Sequence, residues 1–268
     1  GETGTGKGML AYALHRLSPR AEKHFQSINC AAIPETLLES ELFGHVKGAF
    51  TGADTDKKGL LLEAEGGTVF LDEIGKMPLS MQGKLLHFLD TKVVRPVGSS
   101  EQRQVDVRIV CASKSELQNL VQNDRFLEDL YFRLLDFPVV VPPLRERPVD
   151  IPLLANHFLQ MNADPGDGPV PELNPDVLDA LCQYDWPGNI RELEKCIKRA
   201  LILARGESKL RPEHLPRELT PYLAAKGQGG GTPLRETLAA VESREIAQAL
   251  KNCRGNKAAS ARALQISY

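Results

Sequence analysis

The chain opens on Gly1-Glu2-Thr3-Gly4-Thr5-Gly6-Lys7, a G-x-x-x-x-G-K run. Glycines let backbone N–H groups approach an anion closely, a following helix points its amino terminus at it, and the lysine neutralises its charge, so phosphate binding is the implied chemistry. Gly8 stands where a magnesium-ligating Ser or Thr usually follows the lysine. A magnesium ion would therefore lean on phosphates, water and one carboxylate from elsewhere. That carboxylate is offered downstream: Gly66-Gly67-Thr68-Val69-Phe70-Leu71-Asp72-Glu73 reads as a turn, a buried strand and two acids at the strand's carboxyl end. Open parallel sheets bind ligands at that end. Asp72 is assigned to the metal shell and Glu73 to polarising an attacking water. Phosphoryl transfer also needs positive charge at the leaving group, often an arginine from outside, and Arg133 and Arg191 are the candidates.

Between the two acidic and basic ends of this site lies Gly48-Ala49-Phe50-Thr51-Gly52-Ala53, which no nucleotide chemistry requires. Glycine near both ends, one aromatic and one hydroxyl describe a loop that can be raised or lowered while presenting Phe50 and Thr51 to a partner. The sequence thus carries a fuel site and a tip.

Strands and helices alternate around these residues. Met9 to Leu17 reads as a helix, Phe25 to Asn29 as a strand, and Thr68 to Leu71 and Val107 to Ala112 as further buried strands. Amphipathic stretches at Ile33 to Phe43 and Leu79 to Leu89 lie between them. Such alternation predicts an α/β fold with a parallel sheet covered on both faces. Gly83 within the second stretch costs about 0.5–1 kcal/mol relative to alanine. After the Pro142, Pro143 and Pro148 punctuation, apolar spacings of three and four resume at Ile151, and only helices are expected to Leu223, with starts at Asn174-Pro175 and near Asn189. The glycines from Gly227 to Gly231 mark a linker. A last unit follows, with a long helix to Asn252, a second from Asn256 to Ala263 and a turn at Leu264 to Ser267. The organisation expected is 1–145 α/β, 146–223 helical lid, 224–232 linker and 233–268 terminal helices. A strand feeding the phosphate loop is expected ahead of Gly1, together with the true amino terminus.

Composition narrows the class. At 268 residues, 42% hydrophobic and 25% charged, the chain has ordinary globular chemistry spread over two or three units. A net charge of −2 gives the whole no electrostatic footprint for nucleic acid or membrane, but residues 233–268 carry six Lys or Arg against three Glu, a local +3. The five cysteines form no Cys-x-x-Cys pair, which disfavours zinc and a disulfide framework and suits a reducing cytoplasm. There is no apolar run of about 18 residues to span a membrane.

Together these segments closely resemble the AAA+ domain of bacterial enhancer-binding proteins of the NtrC type, the signal-responsive ATPases that activate the sigma-54 form of RNA polymerase. The resemblance covers residues 1 to 223, and its most specific signal is the hexapeptide at Gly48, preceded by Glu41-Leu42-Phe43-Gly44-His45. It implies an AAA+ P-loop fold with a helical lid, ATP and Mg2+ as cofactors, a hexameric ring, and sigma-54 contact through the loop from Gly48 to Ala53, chiefly Phe50 and Thr51. Nucleotide contacts fall on Gly1 to Gly8 and on Arg191, which matches the lid arginine that senses nucleotide state. Asn29 matches an asparagine that restrains the catalytic Glu73, and Arg133 an arginine supplied to the neighbouring subunit's nucleotide. Residues 233–268 look like a Fis-type helix-turn-helix, through Glu245-Ile246, Ala249-Leu250, Gly255-Asn256 and Leu264-Gln265-Ile266-Ser267, which implies enhancer DNA as a partner.

Four positions depart from the family's pattern. Gly8 replaces an acidic residue, Val46 a frequent Glu, Ser113-Lys114 the usual Thr-Asn sensor, and Leu127 a second arginine for the neighbouring site. A trans arginine contributes on the order of 1000-fold to phosphoryl transfer, so loss of one of two would slow turnover. The reading reached is an ATP-hydrolysing, sigma-54-dependent activator. Its rivals are a nucleotide-binding DNA regulator with weak or no ATPase activity, and a protein-remodelling AAA+ ATPase unrelated to transcription.

Overall fold

A computed structural model describes residues 1–114, 116–163 and 169–227. At its centre is a parallel sheet of three strands, β1 (Phe25–Asn29), β4 (Thr68–Asp72) and β7 (Arg108–Cys111), in the order β1-β4-β7. Register runs Phe25 opposite Thr68 to Asn29 opposite Asp72, and Thr68 opposite Arg108 to Leu71 opposite Cys111. Side chains alternate across a strand, and β4 is buried nearly throughout, so its sequence is apolar on both faces. Val69 and Leu71 join Ile28 in a core with α2 (Glu35–Phe43), α4 (Leu79–Thr91) and α6 (Glu128–Leu134). The opposite face carries Thr68, Phe70 and Asp72 towards α1 (Lys7–Arg16): Phe70 stacks on Phe25, and buried His15 meets Thr68 Oγ1 at 3.0 Å. Asp72 and Asn29 therefore share the α1 face, at the strand ends beside the phosphate loop.

Among the described residues, the expected strand and helix starts lie within two residues of their sequence-based positions. The structure also holds pairs too short to leave a periodic signal. β2 (Gly44–His45) pairs antiparallel with β3 (Lys57–Lys58), and β5 (Val93–Val94) with β6 (Arg103–Gln104), each framing one excursion from the sheet. Gly83 in α4 has open space around it, so its effect there is conformational entropy alone. The remaining short helices are α3 (Leu60–Glu63) and α5 (Leu117–Gln122).

Beyond Leu144 a second core gathers on Trp186, from α7 (Ile151–Asn162), α8 (Pro175–Gln183), α9 (Asn189–Leu203) and α10 (Thr220–Gly227). Asn174 caps α8 by accepting from Asp176 N at 2.9 Å, with Pro175 at the first helical position. Helices alone do not complete this unit, contrary to expectation. β8 (Glu172–Leu173) and β9 (Lys209–Leu210) form a parallel pair, satisfying two extended connections that would otherwise bury unpaired backbone. A second correction concerns the linker: α10 continues to Gly227, because Ala224, Ala225 and Lys226 are strong helix formers. The rest of the linker and the terminal helix-turn-helix lie outside the described residues. No described helix is long and apolar enough to cross a membrane.

Candidate nucleotide site and protruding turn

Gly4 and Gly6 adopt φ of 80° and 95°, a left-handed backbone that favours glycine, and Gly6 is the residue from which α1 departs. The helix has no side-chain cap and no acid in its first turn. Its first N–H groups are thus left for an anion, with the favourable end of the helix dipole behind them. Lys7 Nζ donates to Gly1 O at 2.9 Å and Glu2 O at 2.7 Å, folded over the loop. Gly8 would place a Cβ 3.7 Å from Phe70, ordinary contact, so packing does not demand the glycine.

Asp72 and Glu73 stand where the sheet ends. Glu73 has φ 53°, a strained conformation for a non-glycine residue, and its N–H donates to Asp72 Oδ1 at 3.0 Å. The next amide, Ile74 N, donates to Ala112 O at 2.9 Å, which pins the acid between β4 and the end of β7. Asn29 lies opposite Asp72, and its Oδ1 accepts from Ala31 N at 2.8 Å; among the described residues no hydrogen bond joins it to Glu73. The Ser113 carbonyl accepts from the Gly1 ammonium at 3.4 Å, while Lys114 is exposed. Among the described residues no three His, Cys, Asp or Glu cluster as a metal cage. One carboxylate with phosphate oxygens and water is a donor set that suits magnesium, and Asp72, at the end of β4, would be that carboxylate.

Arg191, in the first turn of α9, is exposed, and its Cβ lies 3.3 Å from where a Cβ on Gly4 would be. The structure therefore brings it to the phosphate loop. Arg133 is also exposed but belongs to another surface: on α6 its Nε pairs with Asp90 at 3.3 Å, half in solvent. Exposed Phe132 and Phe137 flank it. Leu127 instead packs on the α/β core and gives its N–H to Gln82 at 2.8 Å. A cavity of about 620 Å3 runs from Gly1 and Lys7 along the β7 edge to Arg133, between Val107–Ser113 and Phe137–Val141. Its walls are mainly the β7 edge and α1, with Gly1 and Lys7 of the phosphate loop at one end.

The hexapeptide is a compact turn on the β2–β3 excursion. Gly48 N donates to Ala53 O at 2.9 Å and Ala53 N to Phe50 O at 3.0 Å, closing the loop on itself. Gly48 and Gly52 have φ of 80° and 96° and nothing nearby, while Thr51 is exposed and Ala53 buried. Phe50 meets the His45 ring edge-on at 5.0 Å, and His45 is itself held by Ser40 at 2.7 Å. At the base Val46 N donates to Val97 O and Val97 N to Gly44 O, at 3.1 and 2.9 Å, so this turn and the β5–β6 excursion are stitched together. Sequence reading did not single out Val97 and Gly98.

With this geometry in place, comparison with known proteins is decisive. Residues 1–140 match the sigma-54 interaction domain, residues 145–229 the AAA+ ATPase lid domain, and residues 237–268 the bacterial regulatory protein, Fis family. The chain belongs to the sigma-54 interaction domain family. It is 45% identical over 267 residues to the transcriptional regulatory protein ZraR of Escherichia coli K12, covering 100% of this chain and 60% of that protein. To the DNA-binding transcriptional activator HyfR of the same organism it is 50% identical over 208 residues, 78% of this chain and 31% of HyfR. Among solved structures, NtrX from Brucella abortus in complex with ATP superposes with TM-score 0.73 at 32% identity, over 99% of this chain and 59% of NtrX. The α/β sheet with helical lid is thus the AAA+ architecture of this family, and the chain spans about 60% of the length of ZraR.

Proposed function

We propose that the chain is the ATP-hydrolysing motor of a sigma-54-dependent transcriptional activator. The observation that carries the reading is the turn bearing half-buried Phe50 and exposed Thr51, hinged on two left-handed glycines and built into the same unit as a phosphate loop. Nothing in nucleotide chemistry calls for such a turn. Backbone amides of Gly4 to Gly8 and the Lys7 ammonium hold the phosphates, and Asp72 holds magnesium, which supplies charge neutralisation at the leaving group when bound. Glu73 polarises the attacking water, while Asn29 beside it restrains that carboxylate between turnovers. Arg191 reads the phosphates from the lid. The exposed setting of Arg133, beside Phe132 and Phe137, supports its delivery to a neighbouring subunit's nucleotide in a ring, a hexamer by family resemblance. ATP and ADP contact the site differently, and that difference moves the turn against sigma-54. The carboxyl-terminal Fis-type segment brings the ring to enhancer DNA, in the cytoplasm.

The experiment separates fuel from tip. At concentrations where rings form, Lys7→Ala abolishes ATP binding, whereas Thr51→Ala keeps phosphate release and loses open-complex formation with sigma-54 polymerase. A Thr51→Ala protein that still activates would sink the assignment of the tip. Gly8, Lys114 and Leu127 favour a second reading, a nucleotide-binding DNA regulator with little hydrolysis. Leu127 supports it most directly, since a partly buried aliphatic side chain packed on the core brings no cation to a neighbour. Wild-type phosphate release at background level would select that reading.

A further inference from the structure

The carbonyl groups of the phosphate loop are engaged from the lid side. Thr3 O accepts from Asn189 Nδ2 at 3.1 Å, Gly4 O from Ile190 N at 3.0 Å, and Thr5 O from Arg147 Nη2 at 2.8 Å. Arg147 follows the 3-10 turn Leu144–Glu146, and Asn189 and Ile190 open α9. One residue earlier, the Glu2 carboxylate receives both terminal nitrogens of Arg145, at 3.0 and 2.7 Å, and Asn189 Nδ2 at 3.0 Å. Asn189 is fully buried at φ 54°, with Oδ1 accepting from Leu144 N at 2.8 Å. A Cβ on Gly4 would lie 2.3 Å from Gly188 O, so the two segments are in close backbone contact.

Within a planar trans peptide, the carbonyl of one residue and the N–H of the next point in opposite directions. Fastening the carbonyls of Thr3, Gly4 and Thr5 to the lid therefore turns the N–H groups of Gly4, Thr5 and Gly6 away from it. Those are the donors that a phosphate group requires. A glycine-rich loop left alone would lose much conformational entropy on meeting its ligand, and fixing it beforehand removes that loss from binding.

We propose that Asn189, Arg147 and the Glu2–Arg145 pair are positioning residues that preset the anion cradle, so that the lid governs phosphate affinity through the loop's backbone. The proposal rests on the reading of Gly1–Lys7 as a nucleotide phosphate site. The Arg145 guanidinium, with the Asn189 amide, holds the Glu2 carboxyl at about 2, so the pair stays charged at every physiological pH.

The test titrates ATP, ADP and AMP into the full chain by calorimetry, for wild type, Arg147→Gln, Glu2→Gln, Arg145→Gln and the Glu2→Gln/Arg145→Gln double variant. Glu2 and Arg145 side chains are 43% and 41% exposed, so these changes open no core, and circular dichroism checks folding. Each single variant should lose about tenfold in ATP and ADP affinity, a usual size for coupling between sites. AMP, which lacks the β-phosphate, should lose far less, and the double variant should lose no more than either single one, as expected for one shared interaction. Variants that bind ADP as the wild type does, or that lose AMP and ADP equally, would overturn the proposal. A wild-type protein that binds neither ATP nor ADP would overturn the nucleotide reading beneath it.

Discussion

At the scale of single residues, Glu73 and Gly8 make opposite statements about strain. Glu73 accepts a left-handed backbone that a non-glycine residue adopts at a cost on the order of 1–3 kcal/mol, and neighbouring hydrogen bonds hold it there. Strain kept at a carboxylate beside a phosphate loop suits a group whose direction matters more than its comfort. Glu73→Gln should therefore leave ATP affinity close to wild type and lower phosphate release by at least about 100-fold, the range for a general base. Gly8 is the reverse: a helical glycine that no clash and no left-handed backbone requires. Gly8→Ala should raise unfolding free energy by about 0.5–1 kcal/mol, read from the urea midpoint. A lower midpoint would show that the glycine serves the fold after all. Both residues are legible in sequence as types. The strain at Glu73 is not, because it depends on Ala112 accepting from Ile74 across the sheet.

Elements show where periodicity informs and where it fails. β1, β4 and α4 announce themselves through apolar runs or spacings long enough to count. Pairs of two residues such as β2–β3 and β5–β6 carry no period, so the excursions they frame are invisible until the chain is folded. Yet the second excursion supports the first. Gly98, at φ 79°, would bring any Cβ to 2.8 Å from Ala49 Cβ, so the two loops touch at the root of the hexapeptide. Gly98→Val should thus displace the turn while the phosphate loop stays intact. Phosphate release is expected to persist and transcription activation to fall by about tenfold or more, given a backbone penalty on the order of 1–3 kcal/mol. Equal losses in both assays would contradict a role confined to the turn.

Across the whole molecule, two separate cores meet at the phosphate loop, and their junction is polar. Glu2 to Arg145 spans 143 positions in sequence and Glu2 to Asn189 spans 187, separations over which no local pattern carries information. The junction also responds to pH with a definite sign. Because the Glu2 carboxyl is lowered from 4.5 to about 2, the stabilisation it gives is fully present above 4.5 and is lost as pH falls towards 2. Carboxyl chemical shifts followed by NMR should place its midpoint near 2 in the folded protein. A midpoint near 4.5 would mean that the contact with Arg145 is absent in solution.

From sequence alone came the phosphate loop, the acidic pair after β4 and the hexapeptide, since each is a run of adjacent residues whose chemistry is local. Family and sheet class follow from them, because alternating apolar strands and helices leave few ways to cover a parallel sheet. Folding alone decided that Arg145, Arg147 and Asn189 grip the loop, that Arg133 faces outward, and that Gly98 supports the turn. Those relations join segments far apart in the chain, and only the packing of two cores against one glycine-rich loop brings them within hydrogen-bonding distance.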